Sequence, residues 1–114
     1  MARDMIGEAH LASVDEKTAT RNRWIAKLRR EGHRQCYYTP IYVDGDITHV
    51  CAMGLLAEVV GDQTYDFYKV GSAAELNKRQ VDLIVALNDG RNSKTNFRQH
   101  AFAEIADVIE GWFK

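Results

Sequence analysis

Cysteine and histidine side chains near the middle of this chain are spaced so that they could support catalysis. The segment THVCAMGLLAEVVG, residues 48–61, places Cys51 in the first turn of a helix that Thr48 is predicted to cap. Free backbone amides and the helix dipole favour a thiolate at such a position. His49 or His100 could supply the base that a nucleophilic thiol requires, so one interpretation is a thiol-dependent hydrolase.

Two arguments favour a packing role for Cys51 instead. Papain-like sequences place the orienting Asn after the catalytic His, whereas Asn88 and Asp89 precede His100 in this chain. Free cysteine is also among the residue types that are most often buried. We therefore expect Cys51, together with Gly54, to be a small residue that lets its helix approach a neighbour closely, and we favour a protein without catalytic activity.

Metal binding is the second chemistry that these residue types could support. Four potential zinc ligands fall in one short stretch, namely His33, Cys36, His49 and Cys51. The C-x-x-C knuckles that are typical of structural zinc sites are absent. The predicted hairpin does not bring Cys36 toward His49 and Cys51, so we expect neither a metal nor a cofactor.

A cationic segment offers the third chemistry. Residues 21–34 contain six basic side chains against the single carboxylate of Glu31. A solvated helix face explains most such runs, but an anion site for a nucleotide phosphate or an acidic protein surface is the alternative. Trp24 or Tyr38 could stack on a base, and amide and carboxylate groups could hydrogen-bond a ligand. The predicted ligand-binding residues are Trp24, Arg29, Gln35, Tyr38, Asn88 and Asp89.

Composition narrows the partners and the compartment. A net charge of −1 over 114 residues disfavours duplex DNA and anionic membranes as targets. No apolar stretch approaches the roughly 18 residues of a membrane span, and no signal peptide is recognisable. Two cysteines without a secretory signal predict reduced thiols in the cytoplasm. One continuous pattern of apolar residues throughout residues 1–114 predicts a single domain.

A helix and a hairpin are the first elements that must position these groups. Ser13 and Glu16 have the spacing of a capping box, and Gly32 is placed to end the helix in the left-handed conformation. Asp44-Gly45 between runs rich in Tyr, Ile and Val predicts a β-hairpin with a type I′ turn. The predicted inward face of the helix consists of Trp24, Ile25 and Leu28, and the predicted pair across the turn is Val43 with Asp46.

Downstream of the hairpin the pattern is mainly helical. A helix that Thr48 caps should run to a stop at Gly61, and the alternation in QTYDFYKVG, residues 63–71, predicts a third strand. Residues 72–75 have a second capping-box spacing that opens another helix, and residues 97–113 predict the last one. The fold class predicted is α+β, with a small antiparallel sheet packed on about four helices.

Several short motifs, in this order, make the chain resemble a family of small, largely uncharacterised proteins of bacteriophages and bacteria. Members of that family read W-x-x-x-L-R, a nearby Gln, C-x-x-G-[VAL]-L, L-N-D and F-x-E-I-A-x-x-I-E. Ala52 and His33 depart from the family pattern, which usually has a second Cys and an aromatic residue there. The resemblance implies a phage-linked cytoplasmic protein. The matching residues are Trp24, Leu28, Arg29, Gln35, Cys51, Gly54, Leu56, Leu87, Asn88, Asp89, Phe102, Glu104, Ile105, Ala106, Ile109 and Glu110.

The function that we predict from sequence is a phage-type binding protein that engages an anionic target. Its target would be a nucleotide-derived signal of bacterial immunity or the surface of a host protein, which gives the protein an anti-defence role by occupancy. A hydrolase that uses Cys51 is one alternative. The other is a structural or assembly protein that forms a homodimer through exposed aromatic side chains, namely Tyr37, Tyr42, Tyr65 and Phe67.

Overall fold

The computed structural model of the chain describes residues 14–90 and 98–114, and these form an α+β fold. A two-stranded antiparallel sheet lies between the first helix and the others in chain order. The described helices are α1 (Val14–Arg30), α2 (Ala52–Val60), α3 (Phe67–Ser72), α4 (Lys78–Asp89) and α5 (Phe102–Trp112), and the strands are β1 (Ile41–Asp44) and β2 (Ile47–Val50). Ser13 and Phe97, which belong to a predicted cap and a predicted helix, lie outside the described residues.

Helix α2 is the centre of the core. It packs against α1, α3 and α4, and its first six residues are all buried because neighbours cover it on every side. The predicted inward face of α1 is confirmed, since Trp24 and Leu28 are fully buried and Ile25 nearly so. The indole Nε1 of Trp24 donates a 2.9 Å hydrogen bond to the Ala52 carbonyl, which fixes α1 against the start of α2.

The end of α1 differs from the prediction. Gly32 does not adopt a left-handed conformation, and the chain continues into a short 3₁₀ turn, Gly32–Arg34. Arg34 explains this path, because its guanidinium bonds the Glu31 and Glu58 carboxylates and its Nε donates to the Thr48 carbonyl. The turn is thereby held against the outer edge of β2.

The hairpin is present, but the predicted pairing is wrong by one residue at the turn. Asp44 pairs with Ile47, so the two-residue loop is Gly45-Asp46 rather than Asp44-Gly45. Gly45 has φ of 62° and Asp46 has no positive φ, which is the pattern of a type II′ turn. Each residue of β1 therefore pairs with a residue two positions later than predicted, so that Tyr42 faces His49. A shift of two positions leaves every side chain on its predicted face of the sheet.

The predicted third strand is wrong, because its second half is helix α3. Asp66 caps this helix by accepting a hydrogen bond from the Lys69 backbone amide. Ser72 ends α3 instead of opening a new helix, and the capping box of α4 is formed by Asn77 with Gln80. Three alternating residues are a weak strand signal beside an Asp in a capping position.

Two helix starts also lie later than predicted. Thr48 belongs to β2, so the residue that caps α2 is Cys51. Helix α5 begins at Phe102, and the described residues before it, 98–101, are not helical. The predicted stop of α2 is confirmed, since Gly61 has φ of 76°. Among the helices of the described ranges, none is both long and apolar enough to cross a bilayer.

Candidate functional site

The side chain of Asn88 joins three segments that are distant in the chain. It lies in the last turn of α4, is 1% exposed, and uses all of its hydrogen-bonding capacity. Its Oδ1 accepts from the Ala52 backbone amide at 3.1 Å and from the Gln35 side chain at 3.0 Å. Its Nδ2 donates to the Cys36 carbonyl at 2.9 Å and to the Asp89 carboxylate at 3.0 Å.

Gln35 extends this arrangement to the start of α5. Its Nε2 donates to Asn88 and also to the His100 carbonyl at 2.8 Å. Its Oε1 accepts from the Phe102 backbone amide at 3.1 Å. We call the paired side chains of Gln35 and Asn88 the amide junction, and it satisfies first-turn amides of α2 and α5 that would otherwise be buried without partners.

Cys51 and Gly54 complete the start of α2 beside the amide junction. The Cys51 Sγ accepts a 3.3 Å hydrogen bond from the Gly54 amide and so acts as the helix cap. A Cβ atom at Gly54 would lie 2.3 Å from the Pro40 carbonyl oxygen, so this glycine permits a close backbone approach. The approach is to the segment that precedes β1 and not, as predicted, to a neighbouring helix.

Asp89 holds the neighbouring loop in a strained shape. Its Oδ1 accepts from the Tyr38 backbone amide at 2.9 Å. Tyr38 has φ of 66°, a left-handed conformation that a bulky side chain rarely adopts. Such strain costs on the order of 1–3 kcal/mol and persists only where the surroundings impose it. The hydrogen bond to the Asp89 carboxylate is one contact that holds Tyr38 in this conformation.

A half-enclosed pocket of about 150 Å³ lies between this loop and the core. Its wall is mostly apolar, and Asp89 is the only charged residue among the described residues that line it. Sequence reasoning identified Tyr38, Asn88 and Asp89 but missed the apolar wall, because its members come from four separate segments. The wall residues that were missed are Thr39, Pro40, Met53, Phe67 and Val85.

Burial makes Cys51 a poor nucleophile. The side chain is almost completely covered, and this desolvation raises the pKa of the thiol to about 11, although two backbone amides partly oppose the shift. Neither predicted base contacts it: the His49 ring packs on Tyr42, and the His100 Nδ1 faces the Arg98 carbonyl. Cys51 is therefore buried as predicted, but its side chain caps α2 and does not separate two helices. The geometry gives no support to the hydrolase.

Arg29 lies away from the amide junction. Its guanidinium forms ion pairs with Asp107 at 2.9 Å and Glu110 at 2.6 Å, both on α5. These carboxylates, chiefly through the Asp107 hydrogen bond, raise the pKa of Arg29 above its already high value. Arg29 therefore joins α1 to α5.

The rest of the cationic segment is similarly neutralised. Arg21 bonds the Ala74 carbonyl and the Glu75 carboxylate, and it stacks on the Phe113 ring at 3.6 Å. Lys27 pairs with Glu31 and Glu58, two carboxylates that Arg34 also bonds. In the described part of the chain, Arg23 alone among the basic residues of 21–34 lacks a carboxylate partner.

Trp24 cannot stack on a ligand as predicted. Its side chain is 0% exposed, and its one polar atom already bonds the Ala52 carbonyl. Tyr38 is 59% exposed and remains accessible at the rim of the pocket. Gln35 and Asn88 are committed to each other and to the backbone. Of the six predicted ligand-binding residues, the structure therefore brings only Tyr38, Asn88 and Asp89 to one cavity.

Exposed apolar side chains concentrate on and beside the hairpin. Of the seven large hydrophobic residues that are exposed in the described ranges, six fall within residues 37–47. Tyr65 and Phe67, which were predicted to be exposed aromatics, pack against the core instead. We call the six the hairpin patch, and its members are Tyr37, Tyr38, Ile41, Tyr42, Val43 and Ile47.

No cluster of three or more histidine, cysteine, aspartate or glutamate side chains suited to a metal occurs within residues 14–90 and 98–114. Comparison with known families, curated proteins and solved structures gives no match to this chain. Six of the residues on which the family resemblance rests nevertheless meet at one place, around the amide junction and the start of α2. They are Trp24, Gln35, Cys51, Gly54, Asn88 and Asp89.

Proposed function

We propose that this chain is a non-catalytic binding protein that engages another protein through the hairpin patch. The observation that supports it is the concentration of exposed Tyr, Ile and Val side chains in residues 37–47. Tyr42 and Ile47 lie on one face of the hairpin and Ile41 and Val43 on the other, so both faces present exposed apolar side chains. Exposed apolar surface is typical of interaction sites, and Tyr is enriched in them. The turn of the hairpin carries Asp44 and Asp46, which supply a polar rim.

The cationic segment gives less support to an anionic ligand than the hairpin patch gives to a protein partner. Binding of a phosphate to Arg29 would compete with two short ion pairs to α5, with 2.9 and 2.6 Å between the paired atoms. Of the two targets predicted from sequence, a protein surface is therefore preferred over a nucleotide-derived signal. Under the resemblance to small phage proteins, that partner would be a host protein of the cytoplasm, blocked by occupancy in an anti-defence role.

A photo-crosslinking experiment in cells that express the protein tests this proposal. p-Benzoylphenylalanine is placed at Tyr42, which is 55% exposed, or at Tyr68, an aromatic control that is 48% exposed outside the hairpin patch. We expect a discrete crosslinked adduct from position 42 only, and its loss when Ile47→Asp is added. Equal labelling at both positions, or labelling that Ile47→Asp leaves intact, would overturn the proposal.

A separate experiment tests whether the protein binds an anionic ligand. Thermal shift with cyclic dinucleotides and ADP-ribose derivatives should leave the melting temperature unchanged, because the guanidinium groups are already paired. A stabilisation that Arg29→Ala removes would reverse our preference and restore the nucleotide-binding alternative.

Self-association is a second candidate, favoured by the outer edge of β1. Hydrogen-bonded pairs alternate along an antiparallel hairpin, so the Ile41 and Val43 amides point away from β2. The outer edge of β2 is already covered, since the Cys36 amide bonds the Val50 carbonyl at 3.0 Å. An unpaired apolar edge can add a strand from a second copy, with Tyr42 opposite its symmetry mate.

Two substitutions at one position test this pairing. Val43→Pro removes the outward amide without removing a bond of the hairpin, whereas Val43→Thr keeps both the amide and the β-branched shape. We expect sedimentation analysis to show concentration-dependent dimers for the wild type and Val43→Thr but not for Val43→Pro. Self-association would be excluded if the wild type is a monomer at all concentrations, or if Val43→Pro still forms dimers. The partner at the hairpin patch would then be a different protein.

A further inference from the structure

We infer that the pocket beside Asp89 binds a cationic group carried on a short apolar stem, the chemistry of an alkylammonium or alkylguanidinium ion. The pocket shares Tyr38 with the hairpin patch, but its apolar wall and its carboxylate lie outside that surface. It also reverses the sign of the ligand expected for Tyr38, Asn88 and Asp89 from the sequence. Three features of the cavity lead to this assignment.

The first feature is the shape and lining of the cavity. A volume of about 150 Å³ holds a group the size of a five-carbon chain but leaves no room for a nucleotide. Met53, Phe67 and Val85 come from three different helices and form an apolar wall. Burial of methylene groups against such a wall contributes most of the affinity of a small ligand.

The second feature is the charge. Asp89 is the only ionisable carboxylate or base lining the pocket within the part of the chain that the structure describes. One of its oxygens, Oδ1, accepts from the Tyr38 and Asn88 donors, while Oδ2 accepts no hydrogen bond from the described residues. A carboxylate beside apolar walls attracts a cation and repels an anion, because the low-dielectric surroundings weaken screening.

The third feature is the preorganised loop. Tyr38 has φ of 66° and donates its amide to Asp89, and Thr39 and Pro40 follow it along the pocket. The Cys51 amide donates to the Pro40 carbonyl at 3.2 Å, which fixes the other end of the same segment. A strained segment that its surroundings fix at both ends is a recurrent property of ligand clamps. The same carboxylate therefore shapes the pocket and supplies its charge.

Three probes of the same length separate charge from shape. Amide chemical shifts of the ¹⁵N-labelled protein are followed during titration with n-pentylamine, n-pentanol and pentanoate. We expect saturable shifts at Tyr38, Met53 and Asp89 with n-pentylamine, weaker ones with the neutral alcohol and none with the anion. Equal responses to the amine and the alcohol, or no response to the amine, would overturn the inference.

A pair of substitutions on α4 tests the role of the carboxylate. Asp89→Asn keeps an oxygen acceptor for the Tyr38 amide but removes the charge, and Asp82→Asn makes the same change outside the pocket. We expect Asp89→Asn to weaken n-pentylamine binding about five-fold, as for loss of a partly screened ion pair, with no change for Asp82→Asn. An equal affinity in both variants would contradict the site.

Blocked lysine, Nα-acetyl-lysine-N-methylamide, distinguishes two sources of the same chemistry. If it produces the shifts that n-pentylamine produces, the pocket takes a basic side chain of a polypeptide. If only the free amine binds, the pocket takes a small alkylamine. The crosslinking position, Tyr42, does not line this pocket, and Tyr38 is the one hairpin-patch residue among the described residues that do. Failure of the titrations therefore leaves the proposed protein-binding function untouched, and failure of the crosslinking leaves this site untouched.

Discussion

The side chains of Gln35 and Asn88, 53 positions apart in the chain, are joined by a 3.0 Å hydrogen bond from Nε2 to Oδ1. Each also accepts a first-turn amide of a helix to which it does not belong, Ala52 of α2 for Asn88 and Phe102 of α5 for Gln35. Helix ends are usually capped by local side chains. Here two long-range amides cap two helices and thereby set the positions of α2, α4 and α5 relative to one another.

Asn88→Ala should be strongly destabilising. It leaves the Ala52 amide and the Cys36 carbonyl buried without the partner that Asn88 provides, at about 1–3 kcal/mol for each group. Asn77→Ala is the matched control, because it removes an exposed cap from the same helix at a cost of about 1 kcal/mol. Urea unfolding of both variants measures the difference, and a cost for Asn88→Ala no greater than the control would contradict the role of the junction.

Substitution of two helical glycines should have opposite effects. Gly54→Ala places a Cβ 2.3 Å from the Pro40 carbonyl, a backbone atom that cannot rotate away, so we expect a loss of about 2 kcal/mol or more. Gly111→Ala meets nothing within 4 Å on α5, and should stabilise by about 0.5–1 kcal/mol through helix propensity. Thermal unfolding measures the change in melting temperature for each variant. Equal changes in the two variants would show that only helix propensity matters at Gly54.

The sequence predicts the longer helices, whose apolar residues recur over several turns, as for Trp24 and Leu28 on α1, but it does not predict the short helix α3. It does not predict the amide junction, since a bond across 53 positions depends on how those helices pack. The motif positions of the resemblance did single out Gln35 and Asn88. Residue type alone left open whether they bind a ligand or the backbone, and burial of Asn88 decides for the backbone.

The turn register shows a different limit. Asp44-Gly45 and Gly45-Asp46 both place a glycine in a two-residue loop. The residue types therefore permit either a type I′ or a type II′ turn. The register observed is the one that places Val50 opposite Ile41 and brings the Cys51 amide to the Pro40 carbonyl at 3.2 Å. The observed ladder therefore continues to Pro40 and Cys51, and the residue types at the turn do not determine its register.

Stability should fall in acid partly through Glu58. Its bonds to Arg34, together with the Lys27 charge, lower the pKa of Glu58 below the value of 4.5 for a free carboxyl. A lowered native pKa means that the stabilisation is present above pH 4.5 and is lost as the pH falls through the native pKa. Glu58 is partly exposed, so screening limits the effect to about 1 kcal/mol or less.

Glu58→Gln should therefore flatten the dependence of the urea midpoint on pH below 4.5. Arg34→Met removes the partner and should flatten it in the same way, and the double variant should add nothing further. An unchanged slope in Glu58→Gln would show that other carboxylates account for the loss of stability in acid.

The thiol of Cys51 should resist alkylation in the folded protein. A pKa of about 11, against 9.0 for an unperturbed thiol, leaves about 100-fold fewer thiolates at neutral pH, and the thiolate is the reactive form. Cys36→Ala isolates the signal, since Cys36 and Cys51 are the two cysteines of the chain. Intact-mass analysis after iodoacetamide treatment at pH 7.5 should show slow modification of the folded variant and rapid modification in guanidinium chloride. Stoichiometric modification of the folded protein within minutes would contradict the buried cap and revive the hydrolase alternative.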